Sequence, residues 1–190
     1  MQFIALCGYP KSGKTEVQQI ISQRYGFAAC DDSRPLREAA KILYGLTDWH
    51  VSTQEGKSST LPLAHPDAAP ITVRQALGDL GCYLESRDEF HFPRLAVQTC
   101  LTDNPEGRFV FASVRRNQSA FYKQAGEALV IEVTREGCHP SAAFDDYIRD
   151  TIDLSIENHF DLSDPERSRR KLEADIAAML DPILGRSLAA

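Results

Sequence analysis

Gly8-Tyr9-Pro10-Lys11-Ser12-Gly13-Lys14-Thr15 decides how the rest of the chain is read. It fits the pattern G-x-x-x-x-G-K-[ST] at every fixed position. The apolar run Phe3 to Cys7 precedes it, and a helical pattern with Val17, Ile20 and Ile21 on one face follows. Strand, glycine loop and helix in that order form a cradle for phosphate. Successive backbone N–H groups wrap the anion, Gly8 and Gly13 let the backbone come close, and the helix N-terminus adds its positive end. Lys11 and Ser12 belong to the same wrap. Lys14 is expected on the β- and γ-phosphates and the Thr15 hydroxyl on Mg²⁺, so ATP and Mg²⁺ are the expected cofactors.

Outward from the loop, strands and helices alternate. Phe27 to Cys30 reads as a second strand, followed by a helix with Leu36, Ala39, Ala40 and Leu43 on its inner side. No period persists from Leu46 to Ile71, and a stretch of that length is either a mobile functional loop or disordered. Thr72 and Gln75 form a capping box that opens a helix bearing Val73, Ala76, Leu77, Leu80 and Leu84. A further helix begins near Pro93. Arg108 to Val114 is a buried strand, Asn117 to Gln124 a helix ending at Gly126, and Ala128 to Val133 another strand. Thr151 to Ile156 alternates as a last strand. A second capping box, Ser163 to Glu166, opens a helix with Leu172, Ile176, Met179 and Leu180 inward. The expected class is α/β, a mostly parallel sheet with helices on both faces, in one domain over residues 1–190.

Composition restricts the partners. The 190 residues are 43% hydrophobic and 25% charged, which suits one sizeable soluble core, and 21 Lys+Arg against 27 Asp+Glu leave a net charge of −6. A chain with that balance has no broad positive field to hold a polyanion, but a focused group of arginines can still hold a small phosphate ester. The five cysteines are scattered without a C-x-x-C, the usage of reduced thiols in a cytoplasmic protein. The N-terminal apolar run is too short for a membrane span and lacks a basic leader. No motif encodes oligomeric state, and a homodimer stays open.

Further candidates lie beyond the loop. Asp31 and Asp32 end the second strand at the sheet edge where parallel sheets bind ligands; they either order the Mg²⁺ shell, accept a proton or cap the following helix. Arg108 to Val114 ends without the Walker B carboxylate of a motor ATPase, and no guanine-reading N-K-x-D is present. Arg74 falls in the first turn of its helix, where the macrodipole disfavours a cation and a bound monophosphate would offset it; an acidic neighbour or solvent is the other reading. Arg115 and Arg116 follow a strand on the same edge as the phosphate loop, fit to clamp a transferring phosphoryl group or to sit on an exposed helix start. Arg87, Arg34 and Arg37 are weaker candidates of the same kind.

GYPKSGKTEV, PLREAAKILYGL, TVRQALGDLG and AGEALVIEVTRE together resemble, in order, the phage-type deoxynucleoside monophosphate kinases, a branch of the P-loop nucleoside monophosphate kinases. The likeness runs from Met1 to about Leu180. It implies a P-loop kinase fold, transfer of the γ-phosphoryl of ATP to a deoxynucleoside monophosphate, and phosphate contacts from Lys11, Lys14, Arg74 and Arg115. The chain departs from the family at Thr15 and Ser113, where Asp is frequent, at Ser119, and at Ser33-Arg34-Pro35-Leu36 in place of Ala-Asp-Pro-Leu. These departures leave two other readings: a kinase for a hydroxymethylated base in DNA, and a nucleotide-binding module with little turnover.

Overall fold

The computed structural model describes residues 1–62, 69–140 and 145–185. Five strands form one sheet: β1 (Phe3–Cys7), β2 (Ala28–Cys30), β3 (Phe109–Val114), β4 (Ala128–Thr134) and β5 (Leu154–Glu157), in the spatial order β2-β3-β1-β4-β5. Every adjacent pair runs parallel. Consecutive parallel strands need a crossover, and helices supply it: α1 (Lys14–Tyr25) joins β1 to β2, and α7 (Gln118–Ala125) joins β3 to β4. The protein is therefore α/β with a parallel sheet.

β1 sits at the centre and is buried along its whole length, as a strand covered on both faces must be. Its alternate side chains build two cores. Ile4 and Leu6 meet Val17 and Ile21 of α1 and Leu172, Ile176 and Leu180 of α8 (Pro165–Leu184). Phe3, Ala5 and Cys7 face the other way, toward Val97 of α6 (His91–Asp103), Phe111 and Tyr122 of α7. Phe111 and Tyr122 lie with ring centroids 4.7 Å apart. Buried Gln18 ties the sheet edge together, its amide donating to the Cys30 carbonyl at 2.8 Å and the Val110 carbonyl at 2.7 Å.

The chain divides into two compact units, one comprising 1–32 and 93–190, the other Ser33–Phe92. The second unit is helical: α2 (Arg34–Tyr44), α3 (Asp48–Ser52), α4 (Gln54–Ser58) and α5 (Val73–Arg87). α5 opens on a capping box, where the Thr72 hydroxyl accepts from the Gln75 N–H at 3.2 Å and the Gln75 side chain accepts from the Thr72 N–H at 2.7 Å.

Three expectations are corrected. The stretch 46–71 is not without regular structure, since α3 and α4 lie within it and Thr60 bridges Thr72; residues 63–68 fall outside the described residues. Each of these helices is one turn, too short to show a period. On α2, Leu43 is exposed, and Leu36 and Ala40 supply the buried stripe. At α8 the cap is Asp164, accepting from the Arg167 N–H at 3.0 Å, with Pro165 at the first helical position. Ser163 bonds Asp161 at 2.7 Å instead, a nearer partner than the helix offers. Among the described residues no helix is long and apolar enough to cross a membrane.

Candidate active site

The loop between β1 and α1 has the backbone that its glycines permit. Gly8 (φ 142°) and Gly13 (φ 98°) adopt conformations that side chains rarely take, and Lys11 lies at φ 69°. Space is as restrictive as torsion. A Cβ on Gly8 would run into the Val133 carbonyl of β4, and one on Gly13 into the Asn158 amide. Asn158 in turn donates to the Ser12 carbonyl at 2.9 Å, so the residue after β5 holds the loop from outside. Ser12 is buried and its hydroxyl has no hydrogen-bond partner, whereas Thr15 at the start of α1 is exposed.

Lys14 curls back over this loop. Its ammonium donates to the carbonyls of Gly8 at 2.7 Å and Tyr9 at 3.0 Å. Burial pushes its pKa down to about 8, and the Arg115 charge pushes the same way; Asp145 and Asp32 act against both. Two cations and two carboxylates thus share one low-dielectric corner at the carboxyl ends of β1, β2 and β3. Arg115 is ion-paired with buried Asp145, and its backbone N–H donates to Gln118 at 3.1 Å. Asp32 is buried, with the Tyr122 hydroxyl 3.5 Å from one oxygen and no hydrogen-bond partner on the other. Burial raises its pKa to about 6 against the pull of Ser113 and Arg115.

A second network supports the loop from the β4 side. Glu132 accepts from the Tyr147 hydroxyl at 2.7 Å, Ser155 at 2.9 Å and Arg149 at 3.2 Å. Arg149 also donates to the Tyr9 hydroxyl at 3.3 Å and lies over the Tyr9 and Tyr147 rings. Beside Gly13 opens a cavity of about 350 Å³, walled by Asn158, Phe160, Arg135 and Leu172, with the Arg135 guanidinium 4.9 Å above the Phe160 ring.

Of the residues singled out in sequence, the structure brings Lys14, Asp32 and Arg115 together. Asp31 and Arg116 are exposed; Arg116 lies at φ 46°, its N–H donating to the Asp146 carbonyl at 2.6 Å. Arg74 and Arg87 belong to α5 of the second unit. Arg74 donates to Gln54 at 2.7 Å, a neutral partner, and Arg87 lies over the Tyr83 ring. Sequence reasoning missed Asp145, Glu132, Tyr147, Arg149 and Asn158. Only Asn158 carried a usable signal, as a polar residue just past a strand at the ligand edge of a parallel sheet.

The fold is α/β, a parallel sheet with a glycine loop of the pattern G-x-x-x-x-G-K-[ST] between β1 and α1. The chain is 29% identical over 178 residues to a protein of Acanthamoeba polyphaga mimivirus described as "Putative deoxynucleotide monophosphate kinase", covering 85% of this chain and 86% of that one. Among solved structures it is similar to dephospho-CoA kinase from Campylobacter jejuni (TM-score 0.45, 12% identity, 94% of this chain and 99% of that chain). It is also similar to a sugar kinase from Janibacter (TM-score 0.42, 13% identity, 97% and 96%). No protein-family model matches.

Proposed function

We propose that the protein is a phosphotransferase that moves the γ-phosphoryl group of ATP to a deoxynucleoside monophosphate. The observation that carries this reading is the Lys14 ammonium within hydrogen-bond reach of the Gly8 and Tyr9 carbonyls, inside a glycine-built loop and beside Arg115. The mimivirus relative supports the acceptor class.

Phosphoryl transfer demands positioning and charge stabilisation more than covalent help from the protein. The loop N–H groups and the start of α1 hold the β-phosphate. Lys14 leaves the loop carbonyls for the phosphate oxygens, and Arg115 exchanges Asp145 for the transferring or accepting phosphate. Both cations are held in place before substrate arrives, which limits reorganisation in the transition state. The cavity beside Gly13 is of ligand size and offers the Phe160 ring and Arg135 plane to the donor base.

Magnesium fits these residues. The ion takes few protein ligands and keeps phosphates and water for the rest, and the Thr15 hydroxyl with the unpartnered Asp32 oxygen is such a set. Bound there, it would neutralise charge on the β- and γ-phosphates. Asp31 and Arg116 are assigned to the acceptor nucleotide; Arg74 at the start of α5 and Arg87 are proposed separately, as anion contacts of the second unit.

Incubation with ATP, Mg²⁺ and each deoxynucleoside monophosphate, followed by chromatography of the products, tests the proposal. A diphosphate of at least one base is expected. Its absence for all of them overturns the reading, and labelled phosphate on hydroxymethylated duplex DNA instead would move the acceptor to the polymer.

A further inference from the structure

Cys30 and Cys100 bring their sulfurs to 2.7 Å although 70 residues separate them in sequence. Both are free, half-buried thiols. Cys30 closes β2 and Cys100 lies in the last turn of α6, so two elements of the same unit present them. Neither has a part in the phosphate site. A disulfide holds its sulfurs at about 2.05 Å, so the pair needs to close by only about 0.7 Å.

A further feature sets this pair apart from the other cysteines, and it is topological. The whole Ser33–Phe92 unit lies in sequence between the two cysteines, and the chain leaves for it from β2 and returns from it through α6.

We propose that Cys30 and Cys100 are an oxidisable pair, closed to a reversible disulfide by a peroxide, and that the bond fastens together the two chain segments leading into and out of the Ser33–Phe92 unit. One of the two sulfurs attacks a peroxide oxygen, giving a sulfenic acid and one water. The other sulfur then attacks the sulfenic sulfur and releases a second water. Two thiols have lost two electrons and two protons, and the peroxide has gained them. The bond lies two residues from Asp32, so its effect on turnover rests on the proposed function; its formation and its effect on the unit do not.

The full reduced chain is treated with stoichiometric hydrogen peroxide, alkylated, digested and analysed by mass spectrometry. A Cys30–Cys100 peptide pair lighter by two hydrogens is expected, reversed by dithiothreitol and absent from Cys100→Ser. Amide exchange in α2 and α5 is expected to slow several-fold on oxidation of the wild type and to stay unchanged in Cys100→Ser. Failure to find the peptide pair, or conversion of Cys100 to sulfinic acid without it, overturns the proposal. Equal exchange before and after oxidation overturns the fastening. If the bond forms and exchange slows while neither redox form transfers phosphate, the proposed function fails and the oxidisable pair stands.

Discussion

Arg115 and Asp145, 30 residues apart in sequence, form an ion pair at the carboxyl edge of the sheet and act with opposite sign on Lys14. The two partners do different work. Under the proposed function Arg115 is the cation that meets phosphate, and Asp145 holds it while also helping the buried lysine stay charged. Removing one partner of a buried pair leaves the other uncompensated, so the two are linked energetically as well as in space.

This arrangement predicts how ATP affinity depends on pH. The Lys14 pKa is lowered to about 8, so free protein loses the loop cation as pH rises through 8. Above that point the ATP dissociation constant is expected to weaken by up to tenfold per pH unit. In Asp145→Asn a negative charge that raises the Lys14 pKa is gone, so the break moves below 8. Calorimetric titration with ATP between pH 6 and 9 measures both curves; coincident breaks would refute the coupling.

Lys14→Met removes the cation altogether. Loss of a preorganised charge that meets developing negative charge costs about 10²-fold or more in turnover. Because Lys14 is desolvated in the free protein, no matching loss of stability is expected, and thermal denaturation should show a midpoint at or above that of the wild type. A large fall in melting temperature would mean that the lysine supports the loop more than the substrate.

Asp32 provides a stability test with a definite sign. Its folded pKa is raised to about 6 from 3.8, so between those values the native state keeps a proton that the unfolded chain has lost. Stability from this group is therefore greatest at low pH, declines as pH rises through 4 to 6, and is level above. One pKa unit is about 1.4 kcal/mol, which makes the deficit at pH 7.5 roughly 2–3 kcal/mol. Asp32→Asn is expected to match the wild type near pH 4 and to exceed it by that order at pH 7.5 in urea denaturation, while losing phosphotransfer. A carboxylate kept where it destabilises the fold supports the place of Asp32 in the proposed site.

What the sequence made legible follows from range. The phosphate loop and the Thr72–Gln75 box are each specified within eight residues, and both form as the pattern requires. The parallel sheet was legible because its central strand is a continuous apolar run rather than an alternating one. Asp145, Glu132 and Arg149 were not, because the partners that give them meaning are Arg115, Tyr147 and Tyr9, met only after the strands align. Arg74 shows the opposite limit. Its place in the first turn of α5 was readable, yet Gln54, its partner, comes from a one-turn helix that has no readable period.

Gly13 and Gly26 separate torsion from space. Both have positive φ, but a Cβ on Gly26 meets nothing within 4 Å, whereas on Gly13 it meets Asn158. Gly26→Ala is expected to cost about 1 kcal/mol, the penalty of a left-handed conformation, with ATP binding intact. Gly13→Ala adds a collision with the residue that holds Ser12, so a larger loss of stability and an ATP affinity at least tenfold weaker are expected. Equal behaviour of the two variants in denaturation and calorimetry would remove Asn158 from the account of the loop.

The cavity beside Gly13 can be tested apart from the phosphates. If it takes the donor base, Phe160 supplies a face for stacking and Arg135, 4.9 Å above the ring, a planar cation whose contact is worth about 1 kcal/mol. Phe160→Ala removes the ring and leaves Lys14, Gly13 and the loop N–H groups untouched. ATP should then bind about 5–10-fold more weakly, while inorganic tripolyphosphate, which has no base, binds as to the wild type. Discrimination among ATP, GTP and CTP should narrow in the same variant, since the lost contacts are those that meet the base. An equal weakening for tripolyphosphate and ATP would place Phe160 in support of the loop, through Asn158 two residues earlier, rather than in a base site.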